Sequence, residues 1–182
     1  PYGYTSERIS FCIVLRHDGS VSEVMDLRPD GKTDRTLSVP ASFKRPGTIP
    51  KSFFLWDNTK MIFGLTMDKT SKQVCEAPKH RQVFQEYHEQ ALSGSDDEGL
   101  LAFLEFIRVG RNEVSAHPET IKHAIDSNLV FMLEGDRDAN GKPRYLHDRP
   151  AARDIWSGMV GASEGAEGTC LVKGKVTSIA RI

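Results

Sequence analysis

Ile9-Ser10-Phe11-Cys12-Ile13-Val14-Leu15-Arg16-His17-Asp18-Gly19-Ser20-Val21-Ser22-Glu23-Val24-Met25-Asp26-Leu27 is the stretch that decides the fold class. An apolar run over 9–15, the turn cluster His17-Asp18-Gly19-Ser20 and an alternating run over 21–27 read as a β-hairpin. Outward from it, Arg28-Pro29-Asp30-Gly31-Lys32 is a second loop and 36–39 a short strand. The connection 40–51 contains Pro40, Pro46, Gly47 and Pro50, which exclude regular structure there. The apolar pattern resumes at 53–56 and 61–65. Residues 1–66 therefore read as a β-rich module with one long basic loop.

From residue 72 the period changes. Val83, Phe84, Tyr87, Ala91 and Leu92 recur at helical spacing, as do Leu100, Leu101, Leu104 and Ile107 within 96–108. Ser95 or Asp96 is the expected N-cap of the second helix, with Asp97 and Glu98 in its first turn. Residues 118–125 suggest a short third helix. Runs over 129–134 and 142–146 flank Asp138-Ala139-Asn140-Gly141, a strong hairpin signal. A further helix is expected from Pro150 to about Met159, capped by Asp148. A glycine-rich loop over 158–168 and a hairpin of 169–172 with 176–182 close the chain. The order β, then α, then mixed predicts an α+β fold. It divides into 1–66, a helical segment 67–127, and a mixed hairpin and helix portion 128–182.

The 182 residues carry 24 Lys+Arg against 25 Asp+Glu, a formal charge of −1, with 38% hydrophobic and 27% charged residues. That balance excludes a mainly disordered chain or a disulfide mini-protein, and a chain of this length buries a real core. The longest apolar run, Phe11-Cys12-Ile13-Val14-Leu15, is far short of the roughly 18–20 residues a membrane span needs. Three scattered cysteines, Cys12, Cys75 and Cys170, indicate neither a disulfide framework nor a cysteine zinc site, and fit a reducing cytoplasm. Pro1-Tyr2-Gly3 and Arg181-Ile182 both read as cut ends, so a fragment of a longer protein is expected.

Charge is unevenly spread. Residues 32–60 hold six bases (Lys32, Arg35, Lys44, Arg45, Lys51, Lys60) against Asp34 and Asp57, a local +4. Residues 82–105 hold Glu86, Glu89, Asp96, Asp97, Glu98 and Glu105 with no Lys or Arg, a local −6.

Enzyme signatures are sparse. His80 and His88 stand eight apart on one expected helix without a zinc-binding spacing, and read as solvated. His147-Asp148 could be half of a catalytic pair, but a strand end followed by an N-cap explains it as well. No complete Gly-x-x-x-x-Gly-Lys-Ser/Thr phosphate loop occurs, and Cys12 reads as a buried small hydrophobe. No cofactor or metal is expected.

Lys44-Arg45-Pro46-Gly47-Thr48-Ile49-Pro50-Lys51-Ser52 is the better lead. Duplex nucleic acid suits such a loop, because cations neutralise phosphate and a glycine lets the backbone approach groove atoms. A solvated connection is the plainer reading of the same residues. Directly after it, Phe53-Phe54-Leu55-Trp56-Asp57-Asn58-Thr59 reads as a core strand and an Asx-type turn. In the functional alternative, Asn58 or Lys60 reaches a base edge or a phosphate.

Five motifs in order resemble one family. They are Ile9-Ser10-Phe11 with Val14-Leu15; Leu37-Ser38-Val39-Pro40 with Lys44-Arg45; Phe53 with Leu55-Trp56-Asp57-Asn58-Thr59; Tyr145-Leu146-His147-Asp148-Arg149-Pro150-Ala151-Ala152; and Cys170-Leu171-Val172 through Gly174 with Ile179-Ala180-Arg181. Together they resemble the large subunit of the type I-C CRISPR Cascade complex, the Csd family, in its N-terminal portion. The resemblance implies a non-catalytic subunit of an RNA-guided antiviral complex in the prokaryotic cytoplasm. In such effectors guide-RNA pairing reads the target, while protein reads the short protospacer-adjacent motif (PAM).

By position, the resemblance implies that Lys44, Arg45 and Lys51 contact target DNA, with Gly47 and Thr48 at the loop tip. Ser52 and Asn58 become secondary polar contacts, and Lys32 and Arg35 contacts to guide RNA or neighbouring subunits. Implied partners are double-stranded target DNA, guide RNA, the other Cascade subunits, a recruited helicase-nuclease that degrades the target, and phage anti-CRISPR proteins that would mimic DNA. The alternative is a docking module for subunits and guide RNA, using the acidic helices and reading no bases.

Overall fold

The computed structural model describes residues 3–41, 50–109, 118–164, 167–169 and 176–178. In order come strands β1 (Tyr4–Ile9), β2 (Phe11–Leu15), β3 (Val21–Asp26), β4 (Arg35–Pro40) and β5 (Trp56–Asn58), then helix α1 (Thr59–Ile62) and strands β6 (Leu65–Met67) and β7 (Val74–Glu76). Helices α2 (Pro78–Ala91), α3 (Glu98–Val109) and α4 (Pro118–Ala124) precede β8 (Asn128–Arg137) and β9 (Pro143–Tyr145). A 3-10 turn (Leu146–Asp148), α5 (Pro150–Glu164), β10 (Glu167–Thr169) and β11 (Val176–Ser178) complete the order. The fold is α+β.

The centre is a five-stranded mixed sheet in the order β3-β2-β8-β5, with β9 also paired to β8. The β2–β3 hairpin is antiparallel, as its sequence requires, but β2 and β8 run parallel, from Phe11 opposite Leu129 to Leu15 opposite Leu133. Parallel neighbours need a long crossover, and here the helical segment supplies it. Strands from residues 1–66 and from 128–182 therefore share one sheet.

Both central strands are buried on two faces with a strict period of two. Phe11, Ile13, Leu15, Leu129, Phe131 and Leu133 point to the helices, where Phe84, Phe103, Phe106 and Trp156 meet them. The Phe103 and Phe131 rings lie 4.8 Å apart at 75°. On the other face Cys12, Val130 and Met132 pack with Trp56, Ile9 and Val39. Ile9 and Val39 belong to a two-stranded ribbon, β1 antiparallel to β4. The layers are thus ribbon, sheet and helices.

Two glycines permit close approaches. In the β2–β3 turn Gly19 has φ +82°, and a Cβ there would lie 2.6 Å from Glu105 Cβ and 2.8 Å from the Phe106 backbone nitrogen. Gly99, in the first turn of α3, faces Arg149, and its Cβ would lie 2.9 Å from Arg149 Cδ and Nε and from Leu146 Cδ2. The buried Arg149 donates from Nε to Asp97 at 2.8 and 3.0 Å, from an NH group to Asp136, and to Glu98 at 3.3 Å. Asp136 is shared with Arg144 at 2.6 Å. Burial by itself would raise the Asp136 pKa, but bonding to Arg144 and the charges of both arginines hold it below its ordinary value.

Several local expectations are corrected. The N-cap of α3 is Asp97, whose carboxylate accepts from the Gly99 and Leu100 N–H groups at 3.0 Å, rather than Ser95 or Asp96. The apolar residues 61 and 62 lie in α1, and residues 53–55 carry no strand pairing; only 56–58 do. Residues 65–76 form a hairpin, β6 with β7, that the sequence did not announce. Asp148 ends a 3-10 turn, and its carboxylate accepts from the Arg153 side chain at 2.7 Å; α5 runs on to Glu164. The closing hairpin pairs Glu167–Thr169 with Val176–Ser178, and residues 170–175 and 179–182 lie outside the described set.

Helix propensity favours Ala over Gly by about 1 kcal/mol, whereas crowding a tightly packed site costs roughly 1–3 kcal/mol. The Arg149 stem at Gly99 cannot swing aside without breaking its ion pairs, so Gly99→Ala is expected to destabilise. Arg149→Leu should cost about 3–5 kcal/mol by leaving Asp97 without its cation and Asp136 with Arg144 alone. Urea denaturation of both variants checks this; a Gly99→Ala variant more stable than the parent would show that the arginine is not confined.

Candidate nucleic-acid interface

The long basic connection leaves the fold at Pro40 and returns at Ser52, and its two ends are tied together. Trp56 Nε1 donates to the Pro40 carbonyl at 3.0 Å, bridging the outgoing end of β4 and the start of β5. Ala41 N–H donates to the Gly3 carbonyl at 2.8 Å, and Trp156 Nε1 donates to the same carbonyl at 2.6 Å. On the returning side the buried Asp57 carboxylate accepts from the Phe53 N–H at 3.0 Å and from the Asn58 N–H at 2.8 Å. The Phe53 ring stacks on Trp56 with centroids 4.6 Å apart. Leu55 is held at φ 58°, a conformation unfavourable for a residue with a Cβ.

His88 supports that turn. Its Nε2 accepts from the Leu55 N–H at 2.9 Å while Nδ1 faces the Phe84 carbonyl at 2.8 Å, so the proton sits on Nδ1 and the ring is neutral. Burial pushes its pKa down to about 3. This corrects the expectation of a solvated histidine. The signal was in the sequence: His88 lies four residues from both Phe84 and Leu92, on the apolar face of α2.

The described site residues divide by environment. Lys51 is exposed at the returning end of the loop. Ser52 is buried and its hydroxyl donates to the Phe53 carbonyl at 3.0 Å. Asn58 caps α1, its Oδ1 accepting from the Met61 N–H at 3.2 Å, as the Asx-turn reading anticipates. Donation to DNA by Ser52 would require giving up that bond, whereas the Asn58 cap uses only Oδ1 and does not commit its Nδ2 amide. Lys60 is half-buried in the first turn of α1. Lys32 and Arg35 are exposed, at the tip of the β3–β4 connection and the first residue of β4. Lys44, Arg45, Gly47 and Thr48 lie outside the described residues.

The acidic helices are less available than their count suggests. Arg108 meets Glu89 and Glu105, and Arg149 meets Asp97 and Glu98, so four of the six carboxylates face a cation from outside the stretch. Reversing charge at Asp97 would therefore test folding rather than docking.

His147 is fully buried and stacked on Tyr145 with centroids 5.4 Å apart; its Nε2 lies 3.7 Å from Asp148, beyond hydrogen-bond range. Burial lowers its pKa to about 4. Among the described residues no group of three or more His, Cys, Asp or Glu side chains could hold a metal ion, and no helix is long and apolar enough to cross a membrane.

Both buried histidines titrate near 6.5 in the unfolded chain and only near 3 and 4 in the folded one. Between about pH 6.5 and 4 the unfolded state binds up to two more protons, so stability falls as pH falls, by up to about 2.7 kcal/mol per pH unit. Carboxylates with lowered values, such as Asp136, add their losses only below that window. Urea midpoints measured at pH 7, 6 and 5 should drop accordingly, with about half the slope in His88→Asn. An acid slope unaltered by that substitution would mean the histidine is not neutral and buried.

No curated protein sequence matches the chain. A family model described as CRISPR-associated protein (Cas_Csd1) matches residues 1–182. That match spans all five motifs, the Trp56 tie across the loop and the Arg149 cluster, and the chain belongs to the Cas_Csd1 family of CRISPR-associated proteins.

Proposed function

We propose that this chain is a non-catalytic part of a type I-C Cascade complex and that its basic loop reads the protospacer-adjacent motif of double-stranded target DNA. The observation that carries this reading is the tied loop base: Trp56 to Pro40, Ala41 to Gly3, and Asp57 to Phe53. Fixing both ends of a loop lowers the entropy lost when it engages a ligand, and a rigid base directs it to one place. Family membership supplies the setting in which a basic loop has a duplex to meet.

Lys44, Arg45 and Lys51 neutralise phosphates, and Gly47 and Thr48 let the backbone approach the groove. Binding energy gained there helps open the adjoining base pairs, after which guide RNA reads the target by pairing. Ser52 and Asn58 act at the base, one under the returning chain and the other at the start of α1. Guide RNA and the other Cascade subunits are the stable partners, and a separate helicase-nuclease, recruited to the opened target in the cytoplasm, cleaves the DNA.

Assembled complex carrying Lys44→Ala, Arg45→Ala and Lys51→Ala is expected to lose target-duplex affinity while retaining its subunits and guide RNA. Its salt dependence should flatten by about one unit of slope per lost phosphate contact. Against a library of duplexes with a randomised motif, Gly47→Trp should abolish the motif preference. Unchanged affinity in the triple variant would remove these cations from the interface, and a preserved preference in Gly47→Trp would move base reading elsewhere.

A further inference from the structure

The β1–β4 ribbon offers a polar face that sequence reading did not single out. Its antiparallel register sets Ser6 opposite Ser38 and Arg8 opposite Thr36. All four are exposed, whereas Ile9 and Val39 of opposite parity are buried against the sheet and Leu37 packs beside them. The face therefore presents one guanidinium and three hydroxyls, groups that donate to phosphate oxygens. Glu7 is the one carboxylate on the two strands, and its parity is that of the inner face.

Position adds to composition. One end of β4 begins with exposed Arg35, which follows exposed Lys32; the other ends at Pro40, whose carbonyl Trp56 holds at the loop base. Thr36 and Ser38, two apart on β4, lie about 7 Å apart on the same face. The ribbon is braced from below: Asn128 Nδ2 donates to the Arg8 carbonyl at 2.9 Å and Tyr4 OH donates to the His147 carbonyl at 3.0 Å.

We infer that Ser6, Arg8, Thr36 and Ser38 form a second contact surface for the phosphate backbone of the target duplex, alongside the loop. This rests on the reading of the loop as the DNA-approaching element, since β4 runs directly into it. Arg8 supplies the charge that releases counterions; the hydroxyls supply orientation without changing the ionic count.

The test is a salt titration of duplex binding by the assembled complex. Arg8→Ala should weaken binding and flatten the salt slope by about one unit. Ser6→Ala with Ser38→Ala should weaken binding about equally at every salt concentration and leave the slope unchanged. Ser38→Glu, pointing outward, should lower affinity at least tenfold with normal assembly and guide-RNA content. Unchanged affinity in Arg8→Ala and Ser38→Glu would overturn the inference. Loss of assembly or of guide RNA in these variants would overturn it too, assigning the face to a subunit or to RNA. The Lys44→Ala, Arg45→Ala, Lys51→Ala complex in the same titration separates the two ideas. If it loses affinity and the ribbon variants do not, only the ribbon inference fails; if neither changes binding, the loop reading fails as well.

Discussion

The Arg149 guanidinium is the constraint on which the rest of the molecule depends. It enters the first turn of α3 across Gly99, pairs with the carboxylate that caps that helix, and reaches Asp136 on the long strand β8. One buried cation thus joins the helix layer, the central sheet and the turn that leads into α5. A buried charge is stable only when its partners are all present and well placed. Asp97 meets two demands at once, the helix terminus and the guanidinium, so the start of α3 and the start of α5 cannot move independently.

From that junction the constraint passes to the outer ribbon. Tyr4 donates to the His147 carbonyl within the 3-10 turn, and Trp156 on α5 donates to the Gly3 carbonyl that also receives Ala41. Trp56 then holds Pro40, and His88 holds Leu55 in a conformation it would not otherwise adopt. Buried indole and imidazole rings are useful here, since each fills a core position and still makes directed hydrogen bonds, one from each indole and two from the His88 ring. The base of the basic loop is therefore a product of the whole core rather than of its neighbours in sequence.

Such an arrangement suits the electrostatic DNA contacts proposed for this chain. Phosphate contacts are individually weak and lengthen readily, so their joint effect depends on presenting them at fixed spacing. A ribbon braced by Asn128 and Tyr4, continuous with a loop tied at both ends, provides that spacing. On the far side of the sheet Arg108 and Arg149 pair with four of the six carboxylates of the acidic helices and offset part of their charge.

The β2–β3 hairpin, the helices α2 and α3, the β8–β9 hairpin and the start of α5 at Pro150 were legible because each is written in local periodicity, turn residues or a proline. The family was legible because motif order survives without coordinates. The parallel pairing of β2 with β8, the burial of His88, the double duty of Asp97 and the exposed face of the ribbon were decided only by tertiary structure. Each depends on groups brought together from distant parts of the chain. Periodicity reports which side of an element is apolar, and carries no information about which distant element will cover that side or which charge will be buried beneath it.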